Sequence, residues 1–240
     1  MSAVPAEDAA PDMGTLLEAF QIADSTFPIG TFNHSFGMET YVSEGTIRKA
    51  PDFDAWIASY FSDQYRSSEG LLVLLAFRAL EDGDTEMLWR LDRELFLATL
   101  AQETRHGTQL IARQMLGLLL ELEGTQGLLG TYAAKVRDGS CPGSPALAFA
   151  IFAQRRGLSA RSAYLLYGYS VASTLVQNAV RSVPLGQRQG QAVLRRIIRQ
   201  LVSLYPESAA LEERHLGATS PGLEIAQMRH ETLEARLFMS

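Results

Sequence analysis

An all-α fold is what this chain predicts, and three observations predict it. Apolar residues recur at three- and four-residue spacing over long windows, no segment alternates cleanly with period two, and the breaks fall at Ser, Asp, Pro and Gly, where helices start and stop. Eight to ten helices in a single bundle, with no sheet, follow from that pattern.

Residues 1–12, MSAVPAEDAAPD, are small, acidic and proline-bearing and are expected to form a disordered tail, leaving 13–240 as the domain. Leu16, Leu17 and Phe20 predict a short first helix that stops near Asp24. Phe53, Trp56, Ile57, Tyr60 and Phe61 predict a strong amphipathic helix with Asp52 as its N-cap. Asp84 is the expected cap of the next, whose face carries Met87, Leu88, Leu91, Leu95 and Phe96. The pattern then runs on through Leu110, Ile111, Met115 and Leu118, with Gly107 as the expected break. Gly124, Gly127 and Gly130 weaken any helix around them. Pro145 opens another helix and Gly157 ends it. Ser159 caps a longer one reaching about Val180, Pro184 opens the next, and that one is expected to end before Pro206. Ser220-Pro221 is a cap followed by a first-position proline, predicting a last helix to about Phe238.

The bulk numbers narrow the functional classes. There is one cysteine, Cys141, so no internal disulfide can form, and it reads as a small buried hydrophobe. No leader or apolar run of membrane-spanning length is seen, which makes the cytoplasm the expected location and a membrane role unexpected. A net charge of −6 disfavours general nucleic-acid binding. The charge is uneven: Met1 to Ile47 holds seven acids and no Lys or Arg, and Arg181 to Leu204 holds five arginines and no acid. Such asymmetry suits complementary partner surfaces.

Catalytic and metal motifs are missing: there is no phosphate-binding GxxxxGK[ST], GxGxxG, GxSxG, HExxH or CxxC. His34, His106, His215 and His230 are not spaced as a local metal site, so no metal ligand and no tightly bound cofactor is predicted. Asp24, His34 and Ser35 contain the letters of a catalytic triad, which counts only if geometry assembles it.

Three stretches stand out. In DSTFPIGTFNHSFGME (24–39), Pro28 and Gly30 shape a turn, Phe27, Phe32 and Phe36 can anchor it, and His34 and Ser35 are expected at the start of the next helix, with Asn33 or Ser35 capping. In RSVPLGQRQGQ (181–191), a kinked polar connector exposes donors and acceptors. In SPGLEIAQMRHETLEARLFMS (220–240), Leu223, Ile225, Met228, Leu233, Leu237 and Phe238 form an imperfect apolar stripe for docking on the body or a partner.

Together these stretches resemble the F-type urease accessory proteins. The matches are Asp24, Ser25, Phe27, Pro28, Gly30, Phe32, His34, Ser35, Gly37 and Glu39; then Arg181, Pro184, Leu185, Gly186, Gln187, Gly190 and Gln191; then Met228, Arg229, His230, Glu231, Leu233, Arg236, Leu237, Phe238 and Ser240. Order and spacing agree from about residue 15 onward. The chain departs at Ser144, where that family commonly carries a histidine before the proline, so no histidine role is expected there.

The resemblance implies an all-α, non-catalytic, homodimeric factor. It would bind a D/H-type accessory protein and recruit the G-type GTPase, which delivers Ni²⁺ to apo-urease with GTP hydrolysis, so nickel would be handled only transiently. Asp24, Phe27, Pro28, Gly30, His34, Ser35 and Glu39 are the candidates for partner binding or for lining a nickel path. Arg48, Arg66, Arg181, Pro184, Gly186, Gln187 and Gln191 are the candidates for the GTPase or partner interface, an arginine in trans being able to stabilise phosphoryl charge. Met228, Arg229, His230, Glu231, Arg236 and Phe238 are the candidates for C-terminal docking. The rival readings are a scaffold for another metalloenzyme, and a helical enzyme with a deep apolar pocket near His34.

Overall fold

The computed structural model describes residues 12–239. Within them the chain forms one all-helical bundle of eleven α-helical segments and no strand. They are α1 (Met13–Ala23), α2 (Met38–Ser43), α3 (Ala50–Ser59), α4 (Glu69–Glu81), α5 (Thr85–Ala98), α6 (Gln102–Glu123), α7 (Leu128–Asp138), α8 (Pro145–Arg155), α9 (Ala160–Ser182), α10 (Gln187–Ala209) and α11 (Pro221–His230). The expectation for residues 1–11 lies outside the described residues. Asp12 is ordered, since its carboxylate accepts from the Thr15 N–H at 3.2 Å and caps α1.

The core is built on α4 and α8. Every residue from Gly70 to Phe77 and from Pro145 to Ala153 is buried. Both runs are apolar all round, which fits a helix enclosed on every side rather than one with a wet face. The helices α5, α6, α7 and α9 enclose this pair, and α10 lies along α9 after a short turn. An aromatic series threads the bundle from Tyr41 through Trp56, Tyr60, Phe61, Tyr65 and Tyr164 to Tyr205, with neighbouring ring centroids 5.1–6.3 Å apart. Among the described residues no helix is long and apolar enough to cross a membrane.

Most helix starts agree with the local signals: Asp84 and Ser159 each accept from the backbone N–H three residues on, and Pro145 and Pro221 sit in first turns. Several details differ. The helix expected to start at Asp52 starts at Ala50, because Pro51 fits a first turn and Asp52 instead accepts from the Arg48 N–H at 3.0 Å. Gly107 does not break its helix; the break is at 99–101, and Gly107 sits inside α6 for a packing reason given below. Gly130 lies within α7. Pro206 lies inside α10, in its last turn, where the carbonyl it frees belongs to exposed Val202. The last helix ends at His230, and 231–239 continue as an irregular strap.

Candidate functional site

The first and third motif stretches meet at Glu39. This side chain is 6% exposed, on the first turn of α2. Its Oε1 accepts from the Leu237 N–H at 2.6 Å, and its Oε2 faces the Phe238 N–H at 3.2 Å and the His230 Nε2 at 2.8 Å. One carboxylate therefore gathers α11 and the strap that follows it. The other ring nitrogen of His230, Nδ1, lies 2.8 Å from Glu103 Oε2, and Glu103 Oε1 accepts from Arg236 at 2.6 Å. Partial burial raises the Glu103 carboxyl, but the bonds from His230 and Arg236 outweigh it and hold its pKa below the usual value.

The loop before α2 is fixed from the other side. Gly30 (φ 84°) takes a left-handed conformation and opens a 3₁₀ turn at Thr31–Asn33. His34 is buried, and its carbonyl accepts from the Asn178 side-chain amide of α9 at 2.8 Å. The Phe32 carbonyl accepts from Arg181 at 3.0 Å, and the same guanidinium lies 5.2 Å over the Phe238 ring. The Asn33 carbonyl accepts from the Met239 N–H at 2.6 Å, so the strap is also tied to the loop. The His34 ring packs directly over Gly107, where a Cβ would stand 2.6 Å from it. Burial, and then the nearby His106 and His230, lower the His34 pKa. The helix after this loop starts at Met38, later than expected, with left-handed Gly37 at its N-cap; Ser35 still contributes, accepting from the Glu39 N–H at 3.3 Å.

The remaining candidates are placed as follows. Asp24 is exposed and accepts from both the hydroxyl and the N–H of Thr26, which lowers its pKa. Phe27 is buried and Pro28 exposed beside it. With Asp24 held by its own turn and Ser35 capping α2, no triad is assembled. Both oxygens of Glu39 are committed to the strap and His230, so it acts as an anchor. In the second motif Pro184 and Gly186 are exposed but Leu185 is buried, and the helix opens at Gln187, not at Pro184, so that Gln187 to Gln191 form the start of α10; Gln189 Oε1 accepts from the Gly186 N–H at 3.1 Å, Gln187 and Gln191 face solvent and Gly190 is buried. Of the second motif, Arg181 joins the Glu39 cluster. Arg66 is paired with Glu207 at 3.2 Å near the far end of α10, about 30 Å from Gln187 by helix rise. Arg48 is exposed. Met228 and Glu231 are exposed, and Arg229 pairs with Glu44 at 3.1 Å.

Two residues essential to this cluster were not singled out in the sequence. Glu103 looks there like any acid in a helical first turn. Asn178 had a readable signal, an amide in the apolar run of α9, since a buried amide needs a partner.

Beneath the loop lie two small cavities of about 40 Å³ each, sharing Phe36, Tyr60, Glu69 and Thr108 as walls. That volume holds one or two waters. Burial raises the Glu69 pKa to about 7 and the Asp92 pKa to about 6. Glu69 lines both cavities. Asp92 Oδ2 accepts from the Gly143 N–H at 3.0 Å, and its Oδ1 and the Ser144 hydroxyl have no protein partner. Cys141 is buried and its thiol is raised to about 11, an inert state. The groove outside His34 is open, about 390 Å³, and is lined by His34, Glu103, His106, Glu231 and Met239 among others. Among the described residues no three His, Cys, Asp or Glu side chains are grouped to hold a metal ion.

A UreF family profile matches residues 47–198. A Streptococcus salivarius protein described as urease accessory protein UreF is 46% identical over 224 residues, covering 93% of this chain and 94% of that one. Proteins of the same description from a Bacillus species and from Lachnoclostridium phytofermentans are 41% and 38% identical, over 95% and 94% of this chain. With the profile spanning most of the bundle and these relatives aligning over nearly its full length, the chain belongs to the UreF family.

Proposed function

We propose that this chain serves urease maturation as a non-catalytic adaptor. It binds a D/H-type accessory protein and brings the G-type GTPase to apo-urease for GTP-dependent nickel insertion. It works as a cytoplasmic homodimer, and nickel passes through the assembly without a resident site in this chain. The observation that supports this reading best is the Glu39 cluster. It joins three sequence-distant segments into one rigid face, and next to it Ile225, Met228, Leu237 and Met239 stand 40–64% exposed. An exposed apolar group beside a rigid polar anchor is the anatomy of a protein-binding surface. The enzyme reading is disfavoured because the two cavities beneath the loop are small, about 40 Å³ each, and the groove at His34 is open.

The test is size-exclusion chromatography with light scattering of the full chain, alone, with a D/H-type protein, and then with the G-type GTPase added. Stepwise co-elution from a dimer is expected. A monomer that binds neither protein overturns the reading. GTPase assays on Arg48→Ala, Arg66→Ala and Arg181→Ala then test the arginine role. Arg66 and Arg181 already hold structural partners, so unchanged stimulation with Arg48→Ala would leave no free arginine for it among the three.

A further inference from the structure

A second surface, sharing no residue with the Glu39 cluster, lies on α5 and α6. The buried stripe of α5 carries Leu88, Leu91 and Leu95. Arg93, Phe96 and Leu97 fall on another stripe, three and four residues apart, so they share one outward face of that helix. Gln109 and Arg113 are likewise four apart on α6. With the turn between α7 and α8 these side chains line an open groove of about 330 Å³. The turn is tied to α6 by the Gln109 side-chain amide, which donates to the Pro142 carbonyl at 3.2 Å, so this wall of the groove is fixed.

The groove is unmatched in both charge and polarity. Arg93 and Arg113 are exposed, and among the described residues neither guanidinium makes a hydrogen bond or an ion pair. The acids around them are committed elsewhere. Asp92 is buried and accepts from the Gly143 N–H, Glu94 pairs with Arg90 at 3.7 Å, and Asp138 accepts from the Ser140 N–H at 2.9 Å. Beside these two cations Leu97 is 71% exposed and Phe96 is half-buried. A guanidinium fork suits a carboxylate, which it holds through paired N–H bonds. A small free anion would answer the charge alone and leave Leu97 and the edge of Phe96 in water. The apolar part calls for an apolar side chain joined to the acid.

We propose that this groove docks an acidic, apolar peptide segment of a protein partner. Its carboxylates sit on Arg93 and Arg113, and an adjoining apolar side chain covers Leu97 and the open edge of Phe96. The apolar contact supplies the burial, and the charge pairs set the orientation and speed the encounter. In a chain of net charge −6, two unpaired arginines beside one apolar patch give that segment a place where its acids are not repelled. The site depends on none of the partners named above, so it stands or falls separately from the adaptor reading.

The experiment is a titration of the full, nitrogen-15-labelled chain, followed by backbone amide NMR, with three probes. They are the peptide acetyl-Asp-Phe-Glu-Leu-amide, its uncharged counterpart acetyl-Asn-Phe-Gln-Leu-amide, and glutarate, which has the charge without the apolar part. Saturable shifts at the amides of residues 93–97, 109–113 and 139–141 are expected with the acidic peptide. The uncharged peptide and glutarate are each expected to bind about tenfold more weakly, the worth of two partly exposed ion pairs or of one covered side chain. The double variant Arg93→Gln with Arg113→Gln is expected to lose the same factor, and salt is expected to weaken the wild type more than the variant. Neither guanidinium holds another part of the chain, so this variant is expected to fold as the wild type does; Leu97→Ser, at an equally exposed position, tests the apolar half. No saturable shift in the groove with the acidic peptide overturns the proposal, as does equal binding of the uncharged peptide or of the double variant. Glutarate binding as tightly as the peptide overturns it in favour of a simple anion site.

Discussion

Asn178 reaches across 144 positions of sequence to donate its side-chain amide to the His34 carbonyl at 2.8 Å, and both residues are buried. That bond fastens the first motif to α9, three residues before Arg181 takes hold of Phe32. Asn178→Ala leaves a buried carbonyl without a donor, which costs about 1–3 kcal/mol. Urea unfolding should show that loss, and a midpoint equal to wild type would mean the bond carries no net stability.

Glu39 is the common acceptor for α11 and the strap. Glu39→Ala removes an acceptor from three donors and leaves His230 without one of its two carboxylates. Leaving a buried donor without its acceptor costs about 1–3 kcal/mol. The strap has no regular secondary structure, so the helical signal in circular dichroism should persist while limited proteolysis begins at the C-terminus. Uncut strap at wild-type protease levels would contradict its role as anchor.

Two glycines on the same helix should respond in opposite directions. A Cβ on Gly107 would meet the His34 ring at 2.6–2.7 Å, so Gly107→Ala must push the ring out of its place, at about 1–3 kcal/mol. Gly117 is exposed, with nothing within 4 Å of such a Cβ, so Gly117→Ala gains helix propensity of about 0.5–1 kcal/mol. Thermal melts of the two variants, side by side, check the contrast.

Glu69 gives a pH dependence. Burial raises its folded pKa to about 7 against an ordinary 4.5, so the folded protein holds a proton that the unfolded chain releases. A raised acid contributes stability at low pH that is lost as pH climbs from the unfolded value through the folded one, here between about 4.5 and about 7. Asp92 acts in the same direction up to about 6. Glu69→Gln removes the ionisation and keeps an acceptor for the Tyr60 hydroxyl. Urea midpoints should therefore match wild type near pH 4.5 and exceed it near pH 8. An equal difference at both values would place the effect in packing instead of ionisation.

The fold class was legible because helices are local. Asp84, Ser159, Pro145 and Ser220-Pro221 mark starts through contacts within one turn, and sequence spacing reports such contacts directly. The errors fell where tertiary packing overrides a local preference. Gly107 reads as a helix breaker, but it is small so that His34 can lie on it. Pro206 reads as a stop, but a last turn tolerates it. Phe238 fits a helical stripe, yet the chain leaves the helix at His230 because the Leu237 and Phe238 N–H groups have a better acceptor in Glu39 than a further turn would offer.

By itself the sequence determined the helices, the single buried thiol and the three motif stretches with their resemblance to one family. It could not say that Glu39 and His230, 191 positions apart, are the pair on which two of those stretches close, or that Glu103 and Asn178 complete the cluster. Those assignments depend on which polar groups the folded core removes from water. Most of those so removed find a partner wherever the bundle brings one near, and nearness in the bundle is not written in spacing along the chain.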